Sequence, residues 1–168
     1  ALAGAKRAKE GYGMVTLCNA SPLPDAPMGD LSYLDFLVLN DIEAGVLLGH
    51  EEDAGVDIKE MAEELKKQYR CGGVIITNGE HGSGVLDGDA WTEVAPVAVD
   101  AVYTIGAGDG YLAAFVAGLV RGMTTAEAAD YAGKYSAYKV TREGSMTKKP
   151  GKGYPYHDEV EAFLASLE

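Results

Sequence analysis

Cysteine is scarce: Cys18 and Cys71 are the two in 168 residues. That is too few for a disulfide framework and points to a reducing compartment. Long apolar runs are absent as well, none approaching the ~18 residues of a membrane span, and no signal-peptide pattern opens the chain. A cytoplasmic protein with no membrane partner is expected. Basic residues are outnumbered, 14 Lys and Arg against 26 Asp and Glu for a net charge of −12. Binding to a nucleic-acid backbone is therefore not expected, and Lys148-Lys149-Pro150-Gly151-Lys152 is too short to make a basic face. The histidines at 50, 81 and 157 are widely separated, with no zinc-site spacing. Internal repeats, long linkers and low-complexity segments are also lacking.

What remains is a globular composition, 47% apolar against 24% charged, long enough for a core. The chain opens inside a helical pattern, Ala1 to Lys9, with no Met and no lead-in, so a piece of a longer protein is expected. Met14 to Asn19 reads as a buried strand and Asp35 to Asn40 as a parallel-sheet strand. Asp41 to Gly49 reads as a helix with acidic residues in its first turn. Asp57 to Tyr69 is amphipathic and is expected to stop at Cys71-Gly72-Gly73. Val74 to Thr77 is a buried strand, and residues 83–87 and 90–95 pair across Asp87-Gly88-Asp89 as a hairpin. Helices follow over 108–120 and 124–140, the second capped by Thr124 or Thr125 with Glu127, and a short one closes the chain at 158–164. This order predicts an α/β fold of three αβα layers, with a mostly parallel sheet and an antiparallel hairpin near one edge. One partial domain, 1–168, incomplete on its N-terminal side, is expected.

The stretch that organises the rest is Tyr103-Thr104-Ile105-Gly106-Ala107-Gly108-Asp109-Gly110-Tyr111, a glycine turn feeding an apolar helix. Small residues at Gly106, Ala107 and Gly108 let the backbone approach a ligand, and first-turn N–H groups lack intrahelical acceptors. With the helix dipole they form a seat for an anion such as a phosphoryl group. Asp109 would repel an anion that merely rested there, but fits as a base for a hydroxyl attacking phosphorus; alternatively it caps the helix. A dinucleotide fingerprint fails, because Tyr111 stands at the third glycine position. A Walker-type loop fails too: Tyr135 follows Gly133-Lys134, and Ala128 takes the place of the first glycine.

Ligands of open parallel sheets gather at the carboxyl ends of the strands, where Asn40 with Glu43 and the turn from Thr77 to Gly82 also fall. Asn40 and Glu43 either form an ordinary capping box or reach a hydrated magnesium ion and phosphate oxygens.

Ile105-Gly106-Ala107-Gly108-Asp109, followed by an aromatic and an alanine-rich helix, resembles the C-terminal signature of the ribokinase-like (PfkB) carbohydrate and nucleoside kinases. The resemblance implies that the Gly106-Ala107-Gly108 backbone is the anion hole and Asp109 the catalytic base. Asn40-Asp41-Ile42-Glu43 looks like the family's Asn-x-x-Glu motif, which implies magnesium organised by Glu43, through water, and Asn40 near the nucleotide phosphates. Thr77, Gly79 and Gly82 would lie along ATP. Gly133 would leave room beside the adenine, or else serve close helix packing. Val140-Thr141-Arg142-Glu143-Gly144-Ser145 is similar to the family's terminal turn, whose carbonyls, here those of Arg142 and Gly144, bind a monovalent cation in potassium-activated members.

One departure stands out. Where the family has Asp-Thr-Thr, this chain has Tyr103-Thr104-Ile105, which removes the carboxylate expected on the cation and one hydroxyl. That puts the potassium site in question and leaves the anion hole and base intact. The resemblance covers essentially the whole chain but only the C-terminal half of a typical member; the half with most sugar-binding residues and the lid has no counterpart. The expected function is transfer of a phosphoryl group from ATP·Mg to the hydroxyl of a sugar or nucleoside-like substrate. The alternative is a nucleotide-binding module, or inactive fragment, without turnover. Apolar surface left open where the other half would dock would favour association, a homodimer included.

Overall fold

A computed structural model describes residues 2–50, 55–147, 149 and 151–166. The chain divides into two compact units, one of Ala1–Gly79 with Ser83–Glu93, the other of Glu80–Gly82 with Val94–Glu168.

The first unit carries helix α1 (Leu2–Tyr12), strands β1 (Leu17–Asn19) and β2 (Phe36–Asn40), and helices α2 (Asp41–Leu48) and α3 (Ile58–Tyr69). Strands β3 (Gly73–Thr77), β4 (Ser83–Asp87) and β5 (Ala90–Val94) follow, the last residue of β5 belonging to the second unit. The sheet runs β1-β2-β3-β4-β5. The first three strands are parallel and β4 turns antiparallel to β3, so the expected α/β sheet with its hairpin at one edge is present.

Strands β2 and β3 are buried at four successive positions rather than at alternate ones, as their unbroken apolar runs require. Helix α3 packs Met61, Ala62, Leu65 and Tyr69 inward, the spacing of one helical face, against a core that includes Leu37, Leu39, Val74 and Ile76. It stops at Arg70, whose left-handed φ of 60° ends the helix one residue before the expected Cys71-Gly72-Gly73 signal. On the hairpin, a Cβ at Gly84 would fall 2.1 Å from the Trp91 ring, so glycine lets the indole lie flat across the neighbouring strand.

The first strand is shorter than its apolar run. Met14 and Val15 are exposed, and pairing with β2 begins only at Leu17. Just before it, the Asp35 carboxylate accepts the Thr16 N–H at 2.7 Å, the Thr16 hydroxyl at 3.1 Å and the Lys9 ammonium at 2.6 Å. These side-chain bonds add to main-chain ones, the Thr16 carbonyl accepting the N–H groups of Asp35 at 2.9 Å and Phe36 at 3.2 Å.

The second unit holds helices α4 (Ala107–Val120), α5 (Thr125–Val140) and α6 (His157–Ala165). Small residues let α4 and α5 come close: a Cβ on Gly118 would sit 2.9 Å from that of Ala128. Thr124 caps α5 in a reciprocal box with Glu127. Helix α6 is held by Arg142, which lies buried and grips Glu159 through two N–H groups at 2.9 and 3.1 Å, and by Phe163 stacked on Tyr138. Among the described residues no helix is long and apolar enough to cross a membrane.

Candidate active site

In the first unit, β2 and β3 end side by side in register, with Asn40 opposite Thr77. Asn40 caps α2: its side-chain oxygen accepts the Glu43 N–H at 2.7 Å, and Glu43 Oε2 accepts the Asn40 N–H at 3.0 Å. The capping box is therefore real. It uses one oxygen of Glu43 and leaves Oε1 outside the box, beside the positive end of the α2 dipole. Thr77 is half-buried, and its hydroxyl makes a long 3.5 Å contact to the Leu39 carbonyl. Gly79 begins the short 3-10 turn that follows, with φ of 52°. Asn40, Glu43 and Thr77 are thus brought together at one strand end, with Gly79 two residues on.

In the second unit, Gly106 is the N-cap of α4 at φ 83°, a conformation that L side chains resist. The Ala107 N–H turns back onto the Thr104 carbonyl at 3.0 Å, so it is occupied within the turn. Gly108 and Asp109 are the next two residues of the first helical turn, where N–H groups have no intrahelical acceptor. A Cβ on Gly108 would meet nothing within 4 Å. Open space therefore faces the backbone at the dipole's positive end. Asp109 is exposed, three residues after the cap, and no side chain caps α4. The helix-cap alternative for this carboxylate is set aside: the cap position belongs to Gly106.

The two remaining glycine expectations meet packing. A Cβ on Gly82 would lie 2.2 Å from the Val94 carbonyl oxygen, and one on Gly133 would lie 3.0 Å from Val94 Cγ1. Gly133 thus packs closely on Val94.

Sequence reading missed the groups that hold the 103–107 turn. The C-terminal carbonyl of α5, on Val140, accepts the N–H groups of Val102 and Tyr103 at 2.7 and 3.0 Å. Ser136 Oγ donates to the Ala107 carbonyl at 3.2 Å. Lys139, fully buried, donates from Nζ to the Tyr103 carbonyl at 3.0 Å and to that of Ile105. Its ammonium also faces the Tyr103 ring at 4.9 Å. A signal existed: Ala128, Ala132 and Lys139 are four and seven residues apart and buried together, so helical periodicity places this lysine on the inward face.

The Arg142 side chain organises the loop before α6. Besides Glu159 it donates to the carbonyls of Gly153 at 3.0 Å and Lys152 at 3.2 Å. Gly144 takes a left-handed φ of 72° next to that anchor. Burial pushes the Tyr154 phenol above its usual range, and the Asp109 charge pushes it the same way. Among the described residues no group of three or more His, Cys, Asp or Glu forms a metal cage.

The profile of the pfkB family of carbohydrate kinases matches residues 2–152. The chain belongs to that family. This pfkB-family chain is 29% identical over 140 residues to a deoxyribokinase of Salmonella typhi, covering 83% of this chain and 45% of that protein. Its fold matches the crystal structure of a ribokinase from Thermotoga maritima with a TM-score of 0.78 at 24% identity, over 95% of this chain and 52% of that one. It also matches a Burkholderia thailandensis nucleoside kinase in complex with inosine, TM-score 0.70 at 20% identity, over 99% of this chain and 52% of that one. The ribokinase-like fold is thereby established. The pfkB-family chain spans about half the length of the curated relatives it matches.

Proposed function

We propose that this chain is the nucleotide-binding and catalytic half of an ATP-dependent kinase that phosphorylates a hydroxyl of a sugar or nucleoside. The observation that carries the reading is the start of α4. An open backbone seat at Gly108, at the positive end of a helix, stands beside an exposed carboxylate, Asp109, that caps nothing. Such a seat suits an anion that arrives and leaves, and such a carboxylate suits a proton that must be taken from a nucleophile.

In the reaction, a substrate hydroxyl gives its proton to Asp109 as its oxygen forms a bond to the γ-phosphorus of ATP. The bond from that phosphorus to the β,γ-bridging oxygen breaks and ADP leaves. The N–H groups of Gly108 and Asp109 would stabilise charge on the transferring group, usually the largest catalytic contribution; with Ala107 engaged by Thr104, the hole is centred one residue later than the sequence suggests. In the first unit, Asn40, Thr77 and Gly79 would meet the nucleotide. Glu43 Oε1 is the group available to waters of a magnesium ion carried on the phosphates, and a single carboxylate suits an ion that keeps most of its water. Bound there, magnesium would neutralise phosphate charge. The names of the relatives, among them a deoxyribokinase, a 6-phosphofructokinase and a nucleoside kinase with inosine, support a sugar or nucleoside hydroxyl as acceptor without selecting one.

Calorimetric titration of ATP·Mg into the folded chain tests the first half of this reading, and a phosphoryl-transfer panel of pentoses, hexoses and nucleosides tests the second. Saturable ATP·Mg binding that weakens with Gly108→Val is expected. A folded sample with no binding would overturn the reading for this chain, and binding without any transfer would leave a nucleotide-binding module.

A further inference from the structure

Three carbonyl-bearing residues, Tyr103, Thr104 and Ile105, lead into the seat at the start of α4, and Thr104 already accepts the Ala107 N–H. The other two point their carbonyl oxygens at one atom, the ammonium nitrogen of Lys139. That lysine has no exposed surface, sits in the last turn of α5 where the dipole favours a cation, and faces the rings of Tyr103 at 4.9 Å and Tyr154 at 6.0 Å. No carboxylate lies on this nitrogen among the described residues' ion pairs; its surroundings are carbonyl oxygens and π faces. These are the ligands that a monovalent cation would take.

We propose that Lys139 is the resident cation of the second unit: its tethered ammonium holds the 103–107 turn in the shape that presents Gly108 and Asp109, and no potassium ion is needed there. Tyr103 fits this arrangement on both counts that set it apart from the family pattern. Its carbonyl accepts from Nζ and its ring covers the charge, whereas an aspartate would add a full negative charge that a bare potassium ion can use. With the Lys139 ammonium already on those carbonyls, the turn has no place left for potassium. Burial draws the Lys139 pKa below the ordinary lysine value. Lys139 is a positioning residue, because it touches the turn and not the transferring group; its consequence for catalysis rests on the reading of that turn as the phosphoryl seat.

The test needs no nucleotide, so it is separable from the kinase reading. The chain is melted at equal ionic strength in potassium, sodium and tetramethylammonium chloride, and probed by thallium(I) NMR as a stand-in for potassium. The parent chain is expected to melt alike in all three salts and to show no bound thallium. Lys139→Ala opens the space and should melt roughly 4 °C or more lower in tetramethylammonium, recover in part in potassium or ammonium chloride, and show a bound thallium resonance. A potassium-specific rise in the parent melting temperature, or thallium bound to the parent chain, would overturn the proposal. So would a folded Lys139→Ala that no small cation rescues. If that variant does not fold, the salt series and thallium spectrum of the parent decide the question alone.

Discussion

Asn40 and Glu43 hold each other's backbone N–H groups, at 3.0 and 2.7 Å, across the first turn of α2. Glutamine can make the same reciprocal box, so Glu43→Gln separates capping from charge. Chemical denaturation should show Glu43→Gln within about 0.5 kcal/mol of the parent, and Glu43→Ala weakened by about 1 kcal/mol. If Glu43 also serves magnesium, both variants lose ATP·Mg affinity alike. Equal affinity in Glu43→Gln and the parent would reduce this glutamate to a cap.

Asp109→Asn keeps the size of the side chain and removes the proton acceptor. Because no side-chain cap bond depends on Asp109, stability should fall by no more than about 1 kcal/mol, the loss of a favourable charge near a helix start. Phosphoryl transfer should fall by ~10²–10⁴-fold, the usual worth of a positioned base, with ATP·Mg affinity unchanged or improved. Single-turnover transfer beside calorimetry separates the two effects; a variant that transfers as fast as the parent would remove Asp109 from the chemistry.

Local chemistry was legible before the structure. The boxes at Asn40 and Thr124, the glycine turn at 106–108 and the hairpin at 87–89 each depend on residues within a few positions of one another. Their side-chain types announce them. Lys139 and Arg142 were not legible as anchors because their partners are mostly carbonyl oxygens, which every residue owns. Those partners lie 34 and 36 residues away for Lys139 and 10 and 11 for Arg142. Boundaries shifted for similar reasons: β1 starts just after Thr16, whose N–H goes to the Asp35 carboxylate 19 residues away, and α3 ends at the dihedral of Arg70. The start of α4 shows both sides. Its glycines were visible, but the engagement of the Ala107 N–H by the Thr104 carbonyl belongs to the turn's geometry.

Gly106 and Gly108 should part company under substitution. At Gly106 alanine meets a positive φ and a Tyr154 oxygen 2.5 Å from its Cβ, so Gly106→Ala should cost about 1–3 kcal/mol. At Gly108 alanine meets open space in a helix and should leave stability unchanged or raise it by up to about 1 kcal/mol. ATP·Mg affinity should fall in Gly108→Ala all the same, because the methyl group enters the seat. A more stable protein with weaker nucleotide binding is the signature to look for, and a Gly108→Ala with parent affinity would argue against the seat.

Glu159 is one of three glutamates of the second unit, with Glu127 and Glu143, whose carboxyls are held below the ordinary range. The Arg142 side chain, then the Tyr156 N–H, hold its carboxyl below the ordinary glutamate range against a smaller opposing push from burial. A carboxyl with a depressed folded-state pKa binds fewer protons folded than unfolded. Its contribution is therefore complete above the unfolded value near ~4.3 and is lost as pH falls toward and through the folded one. Melting temperature should be level from neutral pH to about 5 and then decline. In Glu159→Gln the decline should be shallower, starting from a lower plateau, because Arg142 is buried and left without its counter-charge, a loss on the order of 3 kcal/mol. Asp35 gives the same sign in the first unit: burial raises its pKa, but Lys9 and the Thr16 N–H together lower it further. Asp35→Asn should therefore also flatten the acid limb. Parallel melting curves for the parent and Glu159→Gln between pH 7 and 3 would show that the Arg142 pair contributes nothing to acid stability, and α6 would then have to be held by the Tyr138 and Phe163 stack instead.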